Sequence, residues 1–433
     1  MKRILILALS LCSMSAFAQW GDWGGGGGQW GGGGGGGFNF GGEGSGNSGN
    51  IGDYQKKADI DYVGDNHVGH KMDVYFPKDD GKSTHPVLIH IYGSAWGSNN
   101  SKGSADLGTV GTAVLGAGYI LVTPNHRTYG DALYPAQIND IKAVVRYLRG
   151  NAQELGVDTS FIAVSGFSSG GHLASLMGVT RNVKDNYTVG SATMNIEGNL
   201  GRYTSESSWV DAVCDWSGPV DCRDKGCGNP IQMSPENDMV GGCDDRSCPD
   251  KHALLGANTF IDETDAPVFV AHGSSDNIVP QCEGKIFYDN LIKAKVQDCE
   301  YHPHGGGHGV EGSLTGEMVT FLNKIKEKKA AAIAAAQESQ SHGSEGGEGG
   351  EGGEGGDVSV DDILAFNNSI CVDNDRLYLC NESAEATEFN LSDVSGKILM
   401  IGTLDSKGVD ISSLNQGVYF VRTNNGGSFK FIK

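Results

Sequence analysis

The sequence predicts an α/β protein, a mostly parallel sheet flanked by helices, followed by a small all-β sandwich. Three observations predict it. From Ile51 to about Ile325, short and continuously apolar β-branched runs alternate with segments of helical periodicity, the pattern of strands buried on both faces and joined by crossover helices. A glutamate–glycine repeat then interrupts the chain, and such a self-repelling tract cannot bury a core. Beyond it, short strand-like runs return, separated by turn residues such as Asp373-Asn374-Asp375, Ser395-Gly396 and Asn425-Gly426.

At 433 residues, the chain accommodates one large domain and one small one, given roughly 100–200 residues per domain. Residues 1–18 read as a secretory signal peptide. Lys2 and Arg3 form its positive start, Ile4 to Met14 its apolar middle and Ala16-Phe17-Ala18 its small-residue cleavage site. Residues 19–50 are glycine runs broken by Trp20, Trp23, Trp30, Phe38 and Phe40, expected to act as a flexible tether. Residues 51–326 form the expected catalytic domain, 327–358 an alanine-, glutamate- and glycine-rich linker whose first half extends the last helix, and 359–433 the β-sandwich. No apolar run reaches the roughly 18–20 residues of a membrane span. The net charge of −21 repels phosphate backbones and argues against nucleic-acid binding.

Within the large domain, strands are expected at Lys71–Phe76, Val87–Tyr92, Tyr119–Thr123, Phe161–Val164, Ala212–Trp216, Val268–Ala271 and Cys299–His302. Helical spacing links Ile138, Ile141, Val144, Val145 and Leu148, then Ile286, Phe287, Leu291 and Ile292, then Met318, Phe321, Leu322 and Ile325. The leader removes Cys12 and leaves nine cysteines, which favour disulfides over metal in an oxidising compartment. Cys222/Cys227, Cys243/Cys248 and Cys371/Cys380 are close in sequence, but connectivity is open, and an odd count leaves at least one thiol unpaired within the chain.

The chemical signal is Gly166-Phe167-Ser168-Ser169-Gly170, between a predicted strand and a predicted helix. That context is what a nucleophile elbow demands: a sharp turn that lifts a serine hydroxyl above the carboxyl end of a strand. Ser168 is the candidate nucleophile; Ser165 and Ser169 do not sit centrally between the two glycines. A serine hydroxyl needs an aligned base, and the chain order for this topology is serine, acid, histidine. Asp276 follows the strand that starts at Val268, whereas Asp262 and Asp265 precede it and fall at the wrong end of the sheet. His308, in a glycine-rich loop, is the candidate base. His302 and His304 are placed at the strand end, and His172 and His272 are read as structural. The oxyanion of acyl transfer needs backbone donors; the amides of Ser169, Ser94 and Ala95 are the candidates.

These residues resemble a known family. From about Ala58 to Phe321 the chain is similar to the α/β-hydrolases, and among them to the bifunctional feruloyl/acetylxylan carbohydrate esterases. The carrying blocks include Ile89-His-Ile-Tyr-Gly-Ser-Ala-Trp96, Asn125-His-Arg127, Tyr134-Pro-Ala-Gln137, Gly166-Phe-Ser-Ser-Gly-Gly-His-Leu173, Trp216-Ser-Gly-Pro-Val-Asp221, His272-Gly-Ser-Ser-Asp276 and Gly307-His308-Gly309. The resemblance implies an α/β-hydrolase fold, a Ser168–His308–Asp276 triad, no cofactor or metal, and acylated plant polysaccharide as substrate. Relatives often carry His-Gly-Gly-Gly-Trp where this chain has Tyr92-Gly-Ser-Ala-Trp96. The Cys214–Cys248 segment is similar to a family-variable insertion, a disulfide-pinned substrate wall. The closing segments Val409-Asp-Ile-Ser-Ser-Leu414 and Ser428-Phe-Lys-Phe-Ile-Lys433 resemble a type IX secretion sorting domain, which implies export across the outer membrane by that machinery. Two other readings stand beside the esterase: a serine peptidase of the prolyl-oligopeptidase kind, disfavoured because no propeller-length segment precedes the hydrolase, and a non-catalytic fibre-binding protein on a hydrolase scaffold, against which the full serine, acid and histidine set argues.

Overall fold

The computed structural model describes residues 51–52, 54–183, 186–222, 227, 234–342, 370–373, 376–379, 387–393, 397–405, 407–414, 418–423 and 428–432. The signal peptide, the glycine-rich tether through residue 50, residues 343–358 of the second linker and the first residues of the expected sandwich, 359–369, lie outside them.

In chain order, the large domain runs β1 (Lys56–Asp61), β2 (Lys71–Tyr75), β3 (His85–Ile91), α1 (Thr112–Gly116), β4 (Ile120–Pro124), α2 (Ala136–Gly150), α3 (Ala152–Leu155) and β5 (Val157–Phe167). It continues through α4 (Ser169–Val179), the hairpin β6 (Asn186–Val189) and β7 (Ala192–Asn195), β8 (Ala212–Trp216), α5 (Ser234–Met239) and α6 (Pro249–Leu255). It closes with β9 (Val268–Gly273), α7 (Gln281–Lys293), β10 (Glu300–His304) and α8 (Thr315–His342). Eight strands form one sheet in the order β1-β2-β4-β3-β5-β8-β9-β10. β1 and β2 are antiparallel at one edge, and every pairing from β4 to β10 is parallel. This is the α/β-hydrolase fold.

The expected strands all form, with ends displaced by a few residues, and α8 continues through the alanine-rich tract. β1 and the β6–β7 hairpin were not anticipated. Lys56-Lys-Ala-Asp-Ile-Asp61 is mostly exposed and charged, and the hairpin alternates exposed and half-buried residues, so neither carries an apolar run. Cys214 does not belong to an insertion: it is the buried centre of β8. Two disulfides form, Cys227–Cys282 and Cys243–Cys248. The first ties the loop after β8 to the first turn of α7. Of the close pairs, only Cys243/Cys248 is bridged among the described residues; Cys380 lies outside them.

Each sheet face has its own core. Ile138, Val145, Leu176 and Phe287 bring α2, α4 and α7 onto one face. Val114, Leu115, Met318, Phe321 and Leu322 bring α1 and α8 onto the other. The C-terminal residues form β11 (Ile370–Asp373), β12 (Arg376–Leu379), β13 (Thr387–Asp393), β14 (Ile398–Leu404), β15 (Val409–Asp410), β16 (Val418–Thr423) and β17 (Ser428–Ile432). They make a three-stranded and a four-stranded antiparallel sheet around Leu377, Phe389, Leu391, Leu404, Ile411 and Val421.

A buried ion pair shapes the loop after β4. Arg127 donates to Asp140 Oδ1 through Nη2 at 2.6 Å and through Nε at 2.9 Å, and the Arg127 amide donates to Oδ2 at 2.7 Å. The Asp140 side chain is fully buried on α2. Removing one partner strands the other charge in a low-dielectric site. Arg127→Met is therefore expected to lower the unfolding free energy by about 3 kcal/mol, measured by urea titration. A loss below about 1 kcal/mol would instead give the compensating charge to His70, whose Nε2 lies 3.4 Å from Asp140 Oδ1.

Candidate active site

β5 delivers its last residues to the carboxyl end of the sheet, and the chain turns at once into α4. The turn residue, Ser168, has φ 55° and ψ −122°, a region that costs a residue with a Cβ about 1–3 kcal/mol and persists only where its surroundings enforce it. The glycines supply the enforcement. A Cβ on Gly166 would collide with the Gly170 carbonyl, and one on Gly170 with the carbonyls of Ile91 and Tyr92. On the facing loop, a Cβ at Gly93 would stand 2.8 Å from Phe167 Cδ1 and 2.9 Å from Ser168 Cβ. The Ser168 amide donates to the Trp216 carbonyl at 2.8 Å, which locks the turn to the end of β8.

Two other loops converge on the serine. His308 Nε2 lies 2.9 Å from Ser168 Oγ and Nδ1 lies 2.8 Å from Asp276 Oδ2. Asp276 accepts, so Nδ1 carries the proton and Nε2 is left to accept from the hydroxyl. Asp276 Oδ1 accepts the amides of Ile278 and Val279 at 2.9 Å each. Burial pushes the Asp276 carboxyl up, but the His272 and His308 imidazoles and the Ile278 amide outweigh it and hold it well below the usual carboxylate range. The loops after β9 and β10 are knit by Ser274 N–H to His304 O at 2.7 Å and Ser275 N–H to Gly306 O at 3.0 Å. The Phe167 ring lies against His308, centroids 4.8 Å apart.

The loop after β3 faces the same serine. Ala95 and Trp96 both adopt positive φ, 48° and 55°. The Ser94 amide donates to Ser169 Oγ at 2.9 Å, so it is already engaged in this arrangement. Ser169 opens α4, where an amide has no intrahelical acceptor and the helix dipole is positive.

The chain therefore brings Ser168, His308 and Asp276 into one hydrogen-bonded relay and sets Ser94, Ala95 and Ser169 around the elbow. Ser165 is buried beneath it, its Oγ 3.0 Å from His90 Nδ1, while His90 Nε2 lies 3.0 Å from Asp106 Oδ2. His302 and His304 end β10. His172 meets the Leu255 carbonyl at 2.8 Å, and burial pushes it down to about 4. His272, read as structural, is fully buried at the end of β9, and its Nε2 is 3.4 Å from Asp276 Oδ2.

Residues 72–291 match the BD-FAE family model, about half of the chain. The chain belongs to the BD-FAE family. Residues 372–433 match the secretion system C-terminal sorting domain. This BD-FAE member is 41% identical to a bifunctional GH43-CE of Bacteroides eggerthii, with a TM-score of 0.59 over 63% of this chain and 35% of that one. It is 38% identical to a truncated form of a carbohydrate esterase from gut microbiota, with a TM-score of 0.60 over 63% of this chain and 96% of that one. Among curated relatives, it is 30% identical over 271 residues to esterase LipC of Mycobacterium tuberculosis, covering 60% of this chain and 63% of the relative. With LipM of the same organism, a probable carboxylic ester hydrolase, it shares 28% identity over 251 residues, 58% of this chain and 54% of the relative. The chain thus spans somewhat over half the length of these curated relatives.

Asp262 and Asp265 stand before β9, at the end of the sheet opposite Ser168. Burial drives the Asp265 carboxyl up to about 8, against a hydrogen bond from the Asp262 amide at 2.7 Å. A carboxyl raised in the fold from an unfolded value of about 3.9 gives stability that is complete below the unfolded value and is lost as pH climbs through the folded one. Asp265→Asn removes that titration. Urea midpoints at pH 5, 6.5 and 8 should show the wild type losing ground steadily to the variant; parallel midpoints would mean Asp265 is ionised in the fold.

Proposed function

We propose that this chain is an exported serine carboxylesterase that removes acetyl or feruloyl groups from plant cell-wall polysaccharide such as xylan. The observation that carries the reading is the unbroken relay Ser168 Oγ, His308 Nε2, His308 Nδ1, Asp276 Oδ2, with links of 2.9 and 2.8 Å, on a strained elbow. Membership of the BD-FAE family and likeness to chains described as carbohydrate esterases support the carbohydrate ester as substrate. The C-terminal match supports export by the type IX machinery, to the medium or the cell surface.

The steps follow from the geometry. Ser168 Oγ attacks the ester carbonyl while its proton passes to His308 Nε2, and Asp276 stabilises the imidazolium that forms. The tetrahedral oxyanion is held by the amides of Ser169 and Ala95 and by that of Ser94, which passes from Ser169 Oγ to the developing charge. Collapse expels the sugar oxygen, which leaves as an alcohol with the proton from His308. Water then enters, gives a proton to His308 and adds to the acyl carbonyl; collapse returns that proton from His308 to Ser168 Oγ and frees the acid.

The test pairs acetylated xylan with methyl ferulate and follows release of acetate and of ferulate. Wild type should act on at least one, and Ser168→Ala and His308→Ala should each lower kcat/KM by about 10⁴-fold or more, with the double variant little worse than either. Ester hydrolysis that survives in Ser168→Ala, or a wild type inert to both, would sink the assignment.

A further inference from the structure

Asp276 has one more polar neighbour than the relay requires. Beyond the two amides on Oδ1 and His308 on Oδ2, a second imidazole reaches the same Oδ2: His272, four residues earlier, with Nε2 3.4 Å away. His272 sits fully buried near the end of β9, and its Nε2 is also 2.9 Å from the Val279 carbonyl. Both neighbours of Nε2 are acceptors, so that nitrogen carries a proton whether the ring is neutral or charged. Nδ1 has no hydrogen-bond partner among the described residues and faces α7, where a Cβ at Gly284 would lie 2.7 Å from it. Glycine inside a helix costs about 1 kcal/mol relative to alanine; here it leaves room for this ring.

We propose that His272 is a positioning residue of the hydrolytic site: with its Nε2–H held by the Val279 carbonyl, Nε2 stands 3.4 Å from Asp276 Oδ2 and its N–H dipole limits the negative charge that the carboxylate presents to the His308 imidazole. The inference rests on the reading of Ser168, His308 and Asp276 given above. The charged and titratable groups that face this pair are Asp215 in β8, Glu283 on α7, and His304 and His308 from β10 and its loop. Burial opposes a charge on His272, but Asp276, the Val279 carbonyl and Asp215 outweigh it and raise its affinity for a proton.

Without the His272 donor, the Asp276 charge bears on His308 alone and stabilises its imidazolium. His308 must be neutral to take the Ser168 proton, so the acid limb of the rate profile moves to higher pH. The sign is the same whether His272 is neutral or charged, because either form keeps a partly positive N–H beside Oδ2.

The experiment measures kcat and KM for p-nitrophenyl acetate from pH 5 to 9 in wild type, His272→Phe, His272→Gln and Gly284→Ala. In His272→Phe the acid limb should rise by about half a pH unit, a fall of about threefold in kcat/KM below the limb, with KM little changed. His272→Gln, which keeps a donor, should return most of the shift. Gly284→Ala presses on the ring without touching the relay and should move the limb the same way, so the test stands even where His272→Phe does not fold. An acid limb unmoved in Gly284→Ala and in whichever His272 variants fold, or equal shifts in the Phe and Gln variants, would overturn the role. An inactive wild type overturns the relay and this inference together; an active one whose variants keep its acid limb overturns the role of His272 alone.

Discussion

The turn at Ser168 is the constraint on which the rest of the site depends. A serine held at φ 55° relaxes unless something prevents it, and here three backbones do so by coming closer than any side chain permits. Gly166 and Gly170 let the elbow fold onto itself and onto the carbonyls of Ile91 and Tyr92, while Gly93 brings the facing loop against Ser168. The strain is small against the burial of two sheet faces, each covered by its own helices. It is spent on direction: the hydroxyl has one place to point, and His308 is there.

Direction alone does not make a hydroxyl reactive. The acid behind the imidazole must stay ionised while buried, and a fully buried carboxylate does so only when its oxygens are occupied. Asp276 meets that demand with two amides from its own loop and imidazoles on the other oxygen. Asp215, Glu236 and Glu283 show the contrast. Burial is the largest influence on each and drives them up to about 6, 7 and 7. Carboxyls in the same fold therefore differ in charge according to how many donors reach them.

Much of this was legible in the sequence because the demands are local. A β-branched run followed by Gly-x-Ser-x-Gly and an apolar helix fixes the elbow without tertiary knowledge, and the order Ser168, Asp276, His308 follows from the topology that alternation implies. What escaped was non-local or weakly patterned. Lys56–Asp61 pairs as an edge strand through its backbone and through ion pairs such as Lys56–Asp73 and Lys71–Asp61, and its exposed charges hide it. The engagement of the Ser94 amide by Ser169 Oγ depends on the distance between two loops. His272 has the look of a core histidine and is one; its approach to Asp276 becomes visible only when the strand end and the following turn are folded together.

The cysteines show how the same burial that tunes carboxyls also sorts thiols. Exchange and oxidation proceed through the thiolate, so a thiol is safe in an oxidising compartment when its proton is hard to remove. Cys214, at the centre of β8, is pushed well up by burial, and Cys299 is pushed up to about 12 by the same cause. Cys227, Cys282, Cys243 and Cys248 lie on loops and helix ends, where partners meet, and these are bridged. The sheet that fixes the elbow also holds a reduced thiol within it, and the bridges fall outside the strands.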